Sequence, residues 1–195
     1  TAVFGNSNLK IVNIDNYDLR LESYFKNGDD ASISFYYKNF KNHIELINSG
    51  GVTWQNVDKS RIYGIELEGK KVITKNLDFR ANLTLSKSET EYIRTRFEID
   101  GGVKNYIPLD TVKRDMFGQA PYVLNAMMTY TSDSSGFTAT VSYNVQGPRL
   151  VIVSDLKELP NIYEMPRHMV DIKFSKRLGR HFNVSLTIRD LFNTP

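Results

Sequence analysis

GFTATVSYNVQGPRL, residues 136–150, places Phe137, Ala139, Val141, Tyr143 and Val145 on one side of an extended chain and Thr138, Thr140, Ser142, Asn144 and Gln146 on the other. The reason is that successive side chains of a strand point to opposite faces. The polar row carries no charge. A soluble antiparallel sheet usually carries Lys and Glu on its wet face, so this pattern predicts a strand between lipid and a water-filled lumen. Phe137 to Val145 also has the length of the roughly 9–11 tilted residues that a membrane strand needs.

The same alternation recurs on both sides of this stretch. NYDLRLESYF puts Tyr17, Leu19, Leu21 and Phe25 on one face, and the short turn KNGDD follows. ASISFYYKNF repeats the pattern with Ala31, Ile33, Phe35 and Tyr37, and a longer loop is expected around Asn48 to Gly51. SRIYGIELEG sets Tyr63, Ile65 and Leu67 against Glu66 and Glu68. After a turn near Lys75 and Asn76, LDFRANLTLS opposes Leu77, Phe79, Ala81, Leu83 and Leu85 to five polar residues. PYVLNAMMTY, HMVDIKFSKRL and FNVSLTIRDLF complete about eight strands, with TSDSSG and Leu178–His181 as further short turns.

Two segments interrupt the pattern. From Glu98 to Gln119 the alternation stops in a Gly-, Asp- and Lys-bearing stretch, expected as a functional or mobile loop. GPRLVIVSDLKELPNIYEMP is a second long segment, whose middle is expected to hold a short helical turn. Short turns therefore alternate with long loops, which places all turns at one end of the sheet and all loops at the other, as in outer-membrane barrels. Phe25, Tyr63, Phe79, Tyr130, Phe137, Tyr143, Phe174 and Phe182 stand near the ends of runs and suit two interfacial girdles.

Composition narrows the chemistry. The 195 residues contain no cysteine, which excludes disulfides, thiolate catalysis and Cys-based zinc sites. Lys+Arg 25 against Asp+Glu 22 gives a net charge of +3, too balanced to argue for nucleic acid. No run of about 18 apolar residues offers a membrane helix. His43, His168 and His181 lie far apart without ligand spacing, so no metal site is expected, and no catalytic constellation or cofactor motif is present. Glu66 and Glu68 share a face and read as part of a hydrated lumen wall. Lys113-Arg114 reads as a basic pair in a solvated loop.

NSNLKIVNIDNYDLRLESYF, NVDKSRIYGIELEG, GQAPYVLNAMMTY and IYEMPRHMVDIKFSKRLGRHFNVSLTIRDLFN, in this order and spacing, resemble the C-terminal part of the barrel of TonB-dependent outer-membrane receptors, especially the Bacteroidetes type. The most specific marks are Gly64-Ile65-Glu66 with Glu68, Gly118 to Tyr122 with Asn125, and Asp190 to Asn193. The resemblance implies an all-β, antiparallel up-and-down transmembrane barrel of roughly 22 strands with a plug, of which residues 1–195 supply about eight strands of the barrel domain. It also implies that the plug, the earlier strands and a closing strand lie outside this sequence.

The expected function is non-enzymatic: TonB-dependent import of a large or scarce solute across the bacterial outer membrane. The partners are the TonB complex, reached through the plug region, outer-membrane lipids and the solute. A passive porin or adhesin-like barrel and a soluble β-barrel binding protein are the alternatives. The glycan-importing branch of the family adds a surface lipoprotein lid, and no feature of this sequence matches one that fixes that partner. Solute contacts are expected from loop and upper-lumen residues, with Trp54, Tyr106, Arg114, Arg149, Asp155 and Tyr163 as candidates, because aromatic faces and forked donors orient sugars, peptides or chelates.

Overall fold

Each alternating run becomes a strand, and most strands extend beyond the run that announces them. The computed structural model describes residues 2–48 and 51–193. In chain order the strands are β1 (Val3–Phe4), β2 (Asn13–Tyr24), β3 (Asp30–Asn48), β4 (Val52–Thr74), β5 (Leu77–Asp100) and β6 (Val103–Arg114). They continue with β7 (Tyr122–Ser132), β8 (Phe137–Gln146), β9 (Arg149–Ile152), β10 (Ile162–Glu164), β11 (Arg167–Leu178) and β12 (Phe182–Ile188). Eight of them form one meander in the order β12-β11-β8-β7-β5-β4-β3-β2. Every neighbouring pair along it is antiparallel. The expectation of about eight strands in an all-β, antiparallel wall holds. β2 and β12 are its two edges and do not meet, so the sheet is open among the described residues.

Register turns the alternation into two faces. One cross-strand row reads Phe79, Met128, Val141, Ile172 and Ile188. Another reads Leu21, Ile33, Leu67, Leu83, Leu124 and Val145. Among the described residues this face is largely uncovered: Val141, in mid-strand, is 46% exposed, Val145 near the long-excursion end is buried, and the fully buried apolar side chains Ile47, Leu150 and Val153 lie elsewhere. The opposite face carries Asn82, Asn125 and Asn144 in register, hydrogen-bonded as a ladder with Asn125 Nδ2 2.7 Å from Asn82 Oδ1 and Asn144 Nδ2 donating to Asn125 Oδ1. It also carries Arg20, whose guanidinium reaches Glu68 at 2.7 Å and Ser34 at 3.2 Å. Glu68 thus stands on the polar face, as its alternation predicts.

Aromatics band the apolar face. Tyr17, Tyr37 and Tyr63 share one register row, and near the short-turn end lie Phe25, Phe79, Tyr130, Phe137, Phe174 and Phe182, with the Phe137 and Phe174 rings 6.3 Å apart. Tyr63 stands eight residues from Lys71, the register partner of Phe79. At ~3.3 Å per residue and a tilt of about 40°, that spacing puts the two bands roughly 20 Å apart, close to the apolar height of a membrane barrel. Tyr143 departs from both bands and pairs with His168 at 2.7 Å.

Gly64 explains part of the Gly64-Ile65-Glu66 signature. A Cβ at this position would sit 2.5 Å from the Leu85 carbonyl oxygen and 2.6 Å from the Tyr36 ring. The missing side chain is the space into which Tyr36 packs, one of the uses of glycine inside a strand.

Short turns close one end of the sheet, at residues 25–29, 75–76, 133–136 and 179–181, and three long excursions stand at the other. The excursions differ from expectation. Residues 98–119 are largely a hairpin: β5 runs on to Asp100, Gly101 and Gly102 reverse the chain with φ of 56° and 82°, and β6 returns to Arg114. Two consecutive positive-φ glycines between paired strands make a two-residue primed turn. Pro108 is tolerated because β6 pairs only with β5 and the register shifts beside it. Residues 147–166 hold the β9–β10 hairpin, and the helical turn expected in their middle is a single hydrogen-bonded turn from Leu156 to Leu159. The longer loop expected around Asn48 to Gly51 falls in part on residues 49 and 50, which lie outside the described residues; strand runs up to Asn48 and again from Val52, and these two pair with each other.

Candidate functional site

At the long-excursion end the chain builds the one apolar cluster of buried side chains found among the described residues. Asn42 adopts φ of 59°, a left-handed conformation that Asn tolerates. Beyond it His43, Glu45 and Ile47 alternate as buried residues, whereas below it the most enclosed residue of β3 is Ser34. Ile47 packs with Leu150 and Val153, and Phe117 leans on this cluster. Burying such side chains contributes about 1.5–3 kcal/mol each as an upper estimate. Trp54 meets Phe117 edge to face at 6.3 Å.

Backbone bonds tie the excursions to the sheet. Val153 N–H donates to the Leu46 carbonyl at 2.9 Å and Asn48 N–H to Val153 at 2.8 Å, while Thr95 N–H donates to the Asp155 carbonyl at 2.8 Å. Residues 115–121 lie along β5, with Met116 N–H donating to Ser88 Oγ at 3.0 Å and Ser86 Oγ donating to the Ala120 carbonyl at 2.7 Å. The excursions therefore cover the polar face here, and Ser60, Ser88 and Thr90 are buried under them.

A charged network lies at the centre. Glu45 is fully buried and accepts two bonds from the Arg114 guanidinium, one of them 2.9 Å from Nη1 to Oε1. Arg114, 7% exposed, also stacks its guanidinium 4.8 Å from the Tyr92 ring centre and donates to the Asp115 carbonyl. His43 Nδ1 stands 3.2 Å from Ser60 Oγ, which accepts from Thr90 Oγ1 at 2.9 Å. Burial pushes the His43 imidazole below its usual range, reinforced by the Arg114 charge and opposed by Glu45, so the ring is neutral at pH 7.

The six candidate solute residues do not form one cluster. Tyr106 stands 52% exposed on β6, away from the others, and Trp54 is 39% exposed at the apolar cluster. Arg149 and Tyr163 are brought together on the β9–β10 hairpin, where Arg149 Nε donates to Glu164 at 2.5 Å. Asp155 is half-buried, with its carbonyl engaged by Thr95. Arg114 lies at the end of a strand, not in a solvated loop, and is turned inward onto Glu45; its neighbour Lys113 bridges Glu89 at 3.0 Å and Glu91 at 3.2 Å. Sequence reasoning missed Glu45, His43 and Phe117. The available signal was a carboxylate in NHIELIN, flanked by Ile44 and Leu46. Among the described residues no group of His, Cys, Asp and Glu is placed to hold a metal ion.

Comparison with known proteins places this geometry. Residues 1–191 match the family model described as TonB dependent receptor-like, beta-barrel. No curated protein matches. Among solved structures, a variant of the ferric enterobactin receptor PfeA of Pseudomonas aeruginosa aligns over 97% of this chain and 27% of its own, at 16% identity and a TM-score of 0.64. The copper transporter OprC aligns over 96% and 26%, at 18% identity and 0.66. The FrpB iron transporter from Neisseria meningitidis aligns over 99% and 29%, at 16% identity and 0.61. The chain thus spans about a quarter of the length of the structures it matches, and at these identities the likeness establishes the fold.

Proposed function

This chain belongs to the TonB-dependent receptor β-barrel family, and from that membership we propose that it forms one part of the wall of a plugged outer-membrane barrel of roughly 22 strands that imports a scarce solute with energy relayed by TonB. The apolar face meets lipid, the polar face lines the lumen around the plug, and the long excursions stand outside the cell. The observation that carries this reading is an open antiparallel meander with a largely uncovered apolar face on one side, a hydrogen-bonded polar face on the other, and all long excursions at one end. Open edges in hydrocarbon leave several kcal/mol per unpaired backbone group, so the meander completes its pairing within a larger barrel.

Solute capture falls to Trp54, Tyr106, Arg149, Asp155 and Tyr163 on the external excursions, while Arg114 ties the end of β6 to β3 through Glu45. The protein is a transporter and not an enzyme. Its partners are the TonB complex, outer-membrane lipids and the solute, which growth screening identifies.

The test is uptake in cells. Shortening the β5–β6 hairpin at its Gly101-Gly102 tip is expected to weaken surface binding and leave the barrel assembled, because external loops tolerate length changes at little cost. Deleting TonB is expected to abolish uptake while surface binding persists. Uptake at full rate without TonB would replace the importer with a passive pore.

A further inference from the structure

A buried histidine stands beside the ion pair that ties the end of β6 to β3. The His43 side chain is 9% exposed, next to a fully buried Glu45 whose partner Arg114 is 7% exposed. The hydroxyls around the ring settle where its proton sits. Thr90 Oγ1 donates to Ser60 Oγ at 2.9 Å, which leaves the Ser60 hydroxyl to donate its own hydrogen to His43 Nδ1, 3.2 Å away. Nδ1 is therefore the acceptor of a neutral ring. The same nitrogen lies 3.7 Å from Glu45 Oε1, the oxygen that accepts from Arg114 Nη1 at 2.9 Å. Two nitrogens on two strands thus face one carboxylate oxygen, and only the arginine uses it while the histidine is neutral.

We propose that His43 is a proton-operated latch: once charged, its Nδ1–H takes Glu45 Oε1 and loosens the hold of Arg114 on β3. Among the described residues the charged groups that face the ring are Glu45 on β3 and Arg114 at the end of β6; β4 and β5 present the hydroxyls of Ser60 and Thr90, and Phe40 places its ring 6.1 Å away. A proton on the ring sets two cations on one buried carboxylate, and the uncompensated charge is costly in a dry site. Arg114 is the one with a way out, because β6 pairs with β5 alone and Arg114 Nε has no hydrogen-bond partner. Release then spreads along the chain to residues 115–121, tied down by Met116 N–H on Ser88 Oγ and by Phe117 against the Ile47 cluster. Burial holds the imidazole below its usual value near 6.5, so the latch stays closed above about pH 6.5 and opens as pH falls below it. Trp54 meets Phe117 of the loosened segment, so acid also weakens solute capture, a consequence that rests on the reading of the excursions above.

The experiment uses the full-length receptor in lipid vesicles without solute. Amide exchange is followed by mass spectrometry from about pH 7.5 to about pH 4.5, and each rate is corrected for its intrinsic pH dependence. Wild type is expected to lose roughly tenfold or more of its protection in segments 43–48 and 110–120 as pH falls, while segment 137–146 of the wall keeps its own. His43→Gln and His43→Asn, neutral throughout, are expected to remove the step, and Glu45→Gln to leave both segments loose at every pH. His168→Gln is expected to keep the step. A wild type without a step, a step that persists in either His43 variant, an equal loss in His168→Gln, or a loss shared equally by segment 137–146 overturns the proposal. Absence of the step overturns the latch and leaves the importer standing, whereas uptake at full rate without TonB overturns the importer and leaves the latch standing.

Discussion

Replacing Val141 by Arg tests the two faces of the wall most severely, because its neighbour Ser142 supplies the control. Val141 lies mid-strand in the row Phe79, Met128, Val141, Ile172 and Ile188, where its register partners Met128 and Ile172 offer no polar group. Phe137, at the nearer aromatic band, is four residues away, roughly 13 Å along the strand and beyond the reach of an arginine stem. A guanidinium there sits in hydrocarbon at a cost of about 2–4 kcal/mol, which is roughly a thirty- to several-hundred-fold shift in the folding equilibrium. Ser142 points to the other face, beside Met127 and Asp171 in register. An arginine there gains a carboxylate neighbour in water, worth about 0–1 kcal/mol. The same substitution at Phe137 is expected to cost only about 0–1 kcal/mol for its charge, because depth sets the penalty. Folding yield and denaturant midpoint of the full-length protein in lipid vesicles, followed by the compact gel mobility of unheated samples, measure all three. Equal loss at Val141 and Ser142, or no loss at Val141, refutes the reasoning.

Further outcomes follow from single contacts. Gly64→Ala is expected to lower stability by about 1–3 kcal/mol, since its methyl group meets the Leu85 carbonyl and the Tyr36 ring; Tyr36→Ala in the same chain should relieve part of that cost, as a double-mutant cycle would read. Arg114→Met leaves the fully buried Glu45 without its partner and is expected to loosen the long-excursion end by about 3–5 kcal/mol, visible as faster amide exchange at Ile47 and Val153, and E45Q/R114M should recover much of it. Asp29, in the β2–β3 turn, is held down to about 2 by Lys71 at 2.5 Å, then by the Val72 N–H. A depressed folded value means that its contribution is complete above the unfolded value near 3.9 and fades as pH falls through about 2. Amide exchange in this turn should therefore hold steady down to about pH 4 and rise below it, and Asp29→Asn should remove the step.

The wall was legible in the sequence because lipid and water impose opposite demands on alternate residues, so runs such as Leu77–Leu85 and Phe137–Val145 carry the period of two in full. The excursions were less legible for the same reason. In the β5–β6 hairpin both faces are wet, as the exposed Ile99, Val103 and Tyr106 show, and a strand free of that contrast loses its alternation. Its turn was nonetheless written in Asp100-Gly101-Gly102, a two-glycine reversal between residues that pair. The upper half of β3 was hidden by Asn42, whose left-handed conformation precedes the buried series His43, Glu45 and Ile47. Tyr106, expected in a loop, is exposed but stands on β6. Arg114 was not readable as buried, because its partner Glu45 lies 69 residues away and only the folded excursions bring them together.

The central claim, that one face of this sheet meets lipid and the other meets water, is tested most directly by placing a fluorophore on single cysteines at each position from Phe137 to Gln146 in the membrane-inserted protein. The account expects quenching by brominated lipid tails at Phe137, Ala139, Val141, Tyr143 and Val145, and by a water-soluble quencher at Thr138, Thr140, Ser142, Asn144 and Gln146. Loss of this alternation, or its inversion, would contradict it.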